Sequence, residues 1–199
     1  MKGVYQVTPD TGDGFRMGIE DPVKRFYPKA DGTWPSGIPA NATDRYYDRA
    51  GGYYEKGKGV PQDYKKALKW YTLSAEQGNK VAQYNLGVMY SFGLGVVPDY
   101  KTALKWYNLS SEQGNALAQY NLGRLYYLGN GVKENIVYAH MWVNLASLNG
   151  FEFVEEINEL LIEIMTSSQI QEAQKLATVD RLTSSGPKFI GKVFPKYED

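Results

Sequence analysis

Residues 80–115 read KVAQYNLGVMYSFGLGVVPDYKTALKWYNLSSEQGN, and close copies of this stretch lie on both sides of it. The spacing is regular, because Trp70, Trp106 and Trp142 follow one another at intervals of 36 residues. A fixed period between about 20 and 50 residues is typical of stacked supersecondary units, none of which can bury its apolar face alone. The sequence therefore predicts three repeats, at residues 44–79, 80–115 and 116–151.

The middle repeat predicts two helices joined by a loop. Apolar residues recur at helical spacing over about residues 80–91, which indicates a first helix, helix A. The loop at residues 93–98 holds two glycines and a proline, and Asp99 after it is a typical helix N-cap. The second helix, helix B, is expected over about residues 100–113, and Gly114 stops it. The equivalent residues of the flanking repeats are Asp63 and Asn135 before helix B, and Gly78 and Gly150 after it.

Small residues on both helices indicate that the two pack closely. Gly87 and Gly123 lie within helix A, although a Gly inside a helix costs about 1 kcal/mol relative to Ala. Ala103 on helix B has an Ala counterpart one period away on each side. We therefore expect the two backbones to approach closely, with the Trp indoles filling the space beside the glycines. The predicted architecture is an array of helical hairpins, an α-solenoid.

Several sequence blocks recur in register. They are Ala-Gln-Tyr-Asn-Leu-Gly-x-x-Tyr at 82–90 and 118–126, Gly-x-Gly-Val at 57–60, 93–96 and 129–132, and Asp-Tyr-Lys-x-Ala-Leu-Lys-Trp-Tyr at 63–71 and 99–107. Together they resemble the Sel-one-like repeats, a family related to the tetratricopeptide arrays. The resemblance covers about residues 44–180. It implies an all-α fold, a right-handed α-solenoid of helical hairpins, and a non-enzymatic scaffold or adaptor for protein–protein interaction.

Outside the three repeats, residues 1–43 are rich in Gly, Pro and Asp but also contain aromatic residues. We expect an irregular N-terminal arm, with a short hairpin near its start, that lies on the first repeat. The alternative is a mobile tail. At the other end, residues 152–181 are expected to form capping helices, and residues 182–199 a polar tail with no recognisable motif.

The first capping helix has an amphipathic pattern. One stripe is apolar, glutamates crowd the other faces, and we expect the apolar stripe to be buried. The glutamates are interpreted as the solvated face of a cap, and an acid-rich docking surface is the alternative. Thr166 and Gln169 have the spacing of a capping box at the start of a last helix. This closing stretch resembles that of many bacterial members of the family. The apolar stripe is Phe153, Ile157, Leu160, Leu161 and Ile164.

Composition narrows the classes of function. The 199 residues include 22 basic and 22 acidic side chains, so the formal net charge is zero and no basic footprint for nucleic acid is present. No apolar run approaches the roughly 20 residues of a membrane span, and the N-terminus has no apolar signal core. We expect a cytoplasmic protein, or a periplasmic or secreted one if a leader has been removed. A monomer or a weak homodimer is expected.

The chain offers few groups for catalysis. His140 is the only histidine and no cysteine is present, so neither a zinc site nor a Cys/His or Ser/His nucleophile has its parts. The Gly-x-Gly elements join helix to helix, unlike phosphate-binding loops. We therefore expect no catalytic, cofactor or metal site. The alternative is a hydrolase whose catalytic site is a pair of carboxylates, since a few members of the family have been credited with hydrolase activity.

A partner is expected on the exposed side of the A helices, which in tetratricopeptide-like arrays lines the concave surface. Tyr and Arg on this side are of the types most enriched at binding hot spots. The alternative is that Tyr84 and Tyr120 pack between neighbouring helices. An immunity or regulatory protein for a secreted effector, and a structural assembly protein, are further interpretations. The predicted partner-binding residues are Arg45, Asp48, Tyr84, Val88, Tyr120, Arg124 and Tyr127.

Overall fold

The computed structural model describes residues 44–58 and 60–182. Over these residues the chain forms eight α-helices and no strand, which confirms the expected all-α class. The predicted N-terminal arm with its hairpin, and the tail from residue 183, lie outside the described residues. The helices are α1 (Asp44–Lys56), α2 (Tyr64–Glu76), α3 (Lys80–Phe92), α4 (Tyr100–Glu112), α5 (Ala116–Leu128), α6 (Ile136–Leu148), α7 (Glu155–Ile164) and α8 (Ser167–Leu182).

The helices belong to two compact units, one containing α1 and α2 and the other containing α3 to α8. In the first unit, α1 and α2 pair as a helical hairpin. In the second, α3 pairs with α4 and α5 pairs with α6, while α5 packs on α4 and α8 packs on α6. A continuous apolar cluster from α4, α5, α6 and α8 forms the core of this second unit.

The B helices begin where the sequence predicts. Asp63 Oδ1 accepts a hydrogen bond from Lys66 N at 3.0 Å, and Asn135 Oδ1 accepts one from Tyr138 N at 3.1 Å. Asp99 caps α4 in the same way. These side chains satisfy amides of the first turn that have no partner within the helix. The glycines that end the B helices have positive φ, as predicted: 89° at Gly78, 73° at Gly114 and 90° at Gly150.

Glycines in the A helices lie directly against side chains of the B helices. A Cβ at Gly51 would lie 2.5 Å from the Tyr71 ring, and a Cβ at Gly87 would overlap Tyr107 in the same way. A Cβ at Gly123 would lie 2.8 Å from Cγ2 of the equivalent valine in α6. The predicted close approach is confirmed. The residue packed directly on each glycine is the one that follows the Trp.

Buried glutamines connect the start of helix A with the end of helix B. In the second repeat, Gln83 Oε1 accepts a hydrogen bond from Gln113 Nε2 at 2.8 Å. One period later, Gln119 Oε1 accepts one from Asn149 Nδ2 at 3.0 Å. Since a buried polar group that loses its partner costs about 1–3 kcal/mol, each pair fixes the register of its hairpin. These amide pairs were not predicted from the sequence.

The orientation of α7 differs from expectation. The side chains buried against the core are Val154, Leu161 and Met165, with Ile157 half-buried. The expected burial of the whole apolar stripe was therefore wrong, because α7 packs on α6 and only a narrow arc of the helix faces it. The capping box before α8 is confirmed by reciprocal hydrogen bonds between Thr166 and Gln169. The stripe residues left in solvent are Phe153 (80% exposed), Leu160 (61%) and Ile164 (59%).

Candidate functional site

A small hollow lies where the C-terminal parts of α3 and α5 meet α4. Its cavity volume is about 50 Å³, enough for one small group of a ligand. Hydroxyl, amide and guanidinium groups line it together with apolar side chains, so it can bind a polar group beside an apolar one. We call it the Arg124 hollow. Its lining residues are Ser91, Phe92, Tyr100, Tyr107, Asn121, Arg124, Leu125, Leu128 and Asn130.

Ser91 distinguishes the second repeat from the other two. One period earlier the same position is Glu55, whose Oε2 accepts a hydrogen bond of 2.5 Å from the Tyr71 hydroxyl. One period later it is Tyr127. The short Ser91 side chain reaches the Tyr107 hydroxyl only at 3.4 Å. In the first repeat the tyrosine hydroxyl is bonded to a glutamate, whereas the equivalent hydroxyl of Tyr107 lines an open hollow in the second repeat.

The Tyr107 hydroxyl keeps its proton at ordinary pH. Burial raises the pKa of this hydroxyl to about 12, although the Ser91 hydrogen bond and the charge of Arg124 act in the opposite direction. Burial and the hydrogen bond with Glu55 likewise raise the pKa of the Tyr71 hydroxyl. The Arg124 hollow thus presents neutral hydroxyls and one cation.

One edge of the hollow depends on a glycine. Gly131, in the loop after α5, has a φ of 72°, and a Cβ there would lie 2.7 Å from the backbone carbonyl carbon of Tyr100. A left-handed conformation and this close approach both favour glycine. The loop is also held by the hydrogen bond from Asn130 N to Leu125 O at 3.0 Å. As a result, Asn130 and the start of α4 lie side by side at the hollow.

Arg124 is the charged group of the site. Its guanidinium is exposed, and Nη1 donates a long hydrogen bond of 3.5 Å to Asn121 Oδ1. Among the described residues, no carboxylate lies within 4.0 Å of this guanidinium. Phe92 and Leu128, which also line the hollow, are 61% and 53% exposed. The site therefore combines a cation that lacks an ionic partner in this part of the chain with an exposed apolar border.

Of the predicted partner-binding residues, only Arg124 lines the hollow. Tyr84 is half-buried, and its ring lies 6.0 Å from the ring of Tyr107, centroid to centroid. Tyr120 is also half-buried, with its ring 4.7 Å from the ring of Phe151. Both tyrosines thus make packing contacts within the second compact unit.

The other predicted residues are dispersed. Val88 is half-buried against the core, and the Tyr127 side chain is exposed. Asp48 is half-buried in α1, where its charge contributes to the raised pKa of the Tyr71 hydroxyl. Arg45 lies in α1, but its side chain is outside the described part of the structure. Whether any of these residues binds a partner stays a prediction.

Sequence reasoning missed five residues of the hollow. They belong to helix B, to the side of α5 and to a loop, whereas the prediction considered only one face of helix A. A signal was available in the repeat alignment, because a small serine stands at position 91 where the other repeats have large side chains. The missed residues are Tyr100, Tyr107, Asn121, Leu125 and Asn130.

His140 is buried in α6, at the position that Leu68 and Leu104 occupy in the earlier repeats. Its Nδ1 lies 3.3 Å from Nδ2 of Asn144. Burial lowers the pKa of His140 below its ordinary value of 6.5. The helices around His140 thus cover its side chain almost completely.

We expect His140→Leu to make the protein less sensitive to acid. The unfolded chain binds a proton at His140 near pH 6.5 and the folded chain does so only at lower pH, so the wild type loses stability as the pH falls below about 6.5. The gain from the substitution should therefore grow between pH 7 and pH 5, by at most about 1.4 kcal/mol per pH unit. Urea unfolding at several pH values measures it. Parallel stability curves for the two proteins would contradict the buried neutral histidine.

Residues 44–58 and 60–182 offer few groups for metal binding or acid–base chemistry. No group of three His, Cys, Asp or Glu side chains there could hold a metal ion. None of the helices in these ranges has the length and the apolar character that crossing a bilayer requires. Hydrogen bonds lower the pKa of Asp63, mainly through the Lys66 amide, and of Asp99, mainly through the Thr102 hydroxyl. Both carboxylates are helix caps in separate repeats.

Comparison with known proteins places these helices in a family context. The family model for the Sel1 repeat matches residues 46–79, 80–115 and 116–151. A Sel1 repeat protein from Oxalobacter formigenes, known from its crystal structure, is 27% identical with a TM-score of 0.62, over 74% of this chain and 69% of that one. A comparison with curated proteins found no match.

A second similar crystal structure is that of c5321, a protective antigen present in uropathogenic Escherichia coli strains and displaying an SLR fold. It is 26% identical with a TM-score of 0.52, over 78% of this chain and 42% of that one. The chain thus spans less than half the length of c5321. These matches confirm the fold of consecutive helical hairpins that is typical of Sel1 repeat solenoids.

Proposed function

Because the chain belongs to the Sel1 repeat family, whose members are generally scaffolds for protein–protein interaction, we propose that it is a non-enzymatic adaptor with its anchor point at the Arg124 hollow. The partner is a segment of another protein that lies along the exposed side of α3 and α5. In tetratricopeptide-like arrays the equivalent side lines the concave surface. One observation carries the proposal: the guanidinium of Arg124 lacks a carboxylate partner in the described structure and lies beside exposed Phe92 and Leu128.

The chemistry of the hollow specifies the kind of segment that fits. A carboxylate can accept hydrogen bonds from the Arg124 guanidinium and from the Tyr107 and Ser91 hydroxyls. The small volume suits one acidic side chain and no larger group. A large apolar residue next to that acid would lie on Phe92 and Leu128. The proposed ligand is therefore a peptide segment in which Asp or Glu neighbours a large apolar residue.

Two features favour binding over catalysis. Sel1 repeat proteins are typically non-enzymatic scaffolds. The described residues that line the hollow also include no carboxylate, Cys or His that could act as nucleophile or general base. An immunity or regulatory protein that occupies a secreted effector is one form of the proposed adaptor, with the acidic segment supplied by the effector.

We expect Arg124→Glu to weaken the binding of acidic–apolar peptides strongly. Peptides selected from a random displayed library on the wild-type protein should carry Asp or Glu beside a large apolar residue. Their affinity should fall about 10–100-fold in Arg124→Glu, because a hydrogen bond to a charged group contributes about 1.5–3 kcal/mol. Isothermal titration calorimetry with one selected peptide measures the loss.

A second variant and a matched control make the experiment specific. Ser91→Glu reproduces the first repeat, where Glu55 accepts the Tyr71 hydrogen bond, so it should fill the hollow and block binding while the protein stays folded. Lys105→Glu makes the same charge change at an exposed position of α4 outside the hollow, and it should bind as the wild type does. Equal losses in Arg124→Glu and Lys105→Glu, or no enriched peptides, would refute the proposal.

A further inference from the structure

The outer surface of α7 leaves large apolar side chains in solvent. Phe153, Leu160 and Ile164 are mostly in solvent; Leu160 and Ile164 lie one turn apart on the same side of α7, and Phe153 precedes the helix by two residues. Glu156, at helical spacing from exposed Glu159 and Glu163, lies along the outer border of this apolar row. We call this surface the α7 face: Phe153, Leu160 and Ile164 with Glu156, Glu159 and Glu163.

The glutamates of the α7 face lack ionic partners in the part of the chain that the structure describes. The ion pair found there joins Lys66 with Asp63 in the first compact unit. No Lys or Arg occurs in the sequence between Lys133 and Lys175, so α7 has no basic neighbour along the chain. The occupant that complements this surface is therefore an apolar segment with basic residues at regular intervals. A second α7 face is a poor occupant, since it would place glutamate against glutamate.

A sequence of this description follows α8 in the same chain. Residues 188–197 read KFIGKVFPKY, in which lysines recur at every fourth position with large apolar residues between them. Lys188, Lys192 and Lys196 equal in number the glutamates of the α7 face. The two segments complement each other in both apolar character and charge.

The connection is long enough for the two segments to meet. Helix α8 has 16 residues, so its end lies about 24 Å along its axis from its start. Two residues separate that start from the end of α7. Residues 183–197, when extended, can span about 50 Å. A segment of the same chain also has an effective concentration in the millimolar range, which favours it over a free partner of the same sequence.

We infer that residues 188–197 bind the α7 face of the same molecule. Their apolar side chains cover Phe153, Leu160 and Ile164, and their lysines lie beside the three glutamates. This contact would cover an apolar surface that otherwise favours self-association. It does not depend on the Arg124 hollow.

Hydrogen exchange tests this inference. Amides of residues 155–164 should exchange at least about tenfold faster in a chain that ends at Leu182 than in the full chain. The triple variant Lys188→Glu, Lys192→Glu and Lys196→Glu should show the same acceleration. A control with Lys65→Glu, Lys69→Glu and Lys105→Glu, all at exposed positions of α2 and α4, should exchange as the wild type does. Combining the first triple variant with Glu156→Lys, Glu159→Lys and Glu163→Lys should restore protection.

Further outcomes decide between this occupant and others. A synthetic peptide of residues 186–197 should bind the chain that ends at Leu182 and should not bind the full chain. Equal binding to both chains would show that the α7 face is free in the full chain, which would overturn the inference. Equal exchange in the full and shortened chains, or protection that rises with protein concentration because a second copy supplies the segment, would also overturn it.

Discussion

Replacing Gly87 with Val should lower the free energy of unfolding by about 3 kcal/mol. Any Cβ at this position overlaps the ring of Tyr107, which is itself fully buried and has no room to move away. The β-branched side chain therefore forces α3 away from α4 and opens the core of the hairpin. For a chain of this size the midpoint of thermal unfolding should fall by about 6–12 °C. Circular dichroism during heating and urea titration measure the two quantities.

Gly52→Ala provides the matched control. Gly52 is also a helical glycine, one position beyond the first-repeat counterpart of Gly87, but a Cβ there would meet only the Tyr71 hydroxyl oxygen at 3.7 Å. Alanine is favoured over glycine in a helix by about 1 kcal/mol, so Gly52→Ala should leave stability unchanged or raise it. If Gly87→Val unfolds no more easily than the control, the close packing of α3 on α4 is wrong.

The second large effect is expected for Trp142→Ala, at about 3–5 kcal/mol. The indole of Trp142 is 1% exposed and belongs to the apolar core formed by α4, α5, α6 and α8. Its removal leaves a cavity that the surrounding helices cannot fill, and so adds a cavity term to the lost burial. The free energy of unfolding from urea titration provides the measurement.

Trp106→Ala is the control, because it removes the same side chain from the same position of the preceding repeat. Trp106 is only half-buried, so we expect a loss of less than half that of Trp142→Ala. The comparison separates the effect of burial from the effect of the residue type. Losses of equal size would show that the two repeats bury their tryptophans to the same extent, contrary to the structure.

Local chemistry explains why much of the fold can be predicted from the sequence. The 36-residue period marks the repeats, and the caps at Asp63, Asp99 and Asn135 mark where the B helices begin. Each of these signals depends on a few neighbouring residues, and so it is visible without the tertiary structure. The close approach at Gly87 was also predictable, because a glycine within a helix needs a compensating contact.

Tertiary features were harder to predict. The apolar stripe of α7 is wide, and periodicity alone does not show which part of a wide stripe faces the core. The structure buries Leu161 and leaves Leu160 in solvent, although the two are neighbours in the sequence. The direction from which α6 approaches decides this, and α6 belongs to a different part of the chain.

The Arg124 hollow, too, could be predicted only in part from the sequence. Arg124 itself could be predicted, since it lies on the side of helix A that the period leaves exposed. The hollow beside it arises because Ser91 is short, because Tyr107 comes from a different helix, and because Gly131 brings a loop against α4. These three causes lie in separate elements, and only the folded chain brings them together.

The amide pairs Gln83–Gln113 and Gln119–Asn149 have a consequence for how such a chain changes in evolution. Inserting one residue within either helix of a hairpin would rotate the buried Gln83 or Gln119 away from its partner and break that hydrogen bond, at a cost of about 1–3 kcal/mol. Insertions in the connecting loop avoid that penalty. The segment between the two helices can therefore lengthen and present new side chains while the amide pair of its hairpin stays intact.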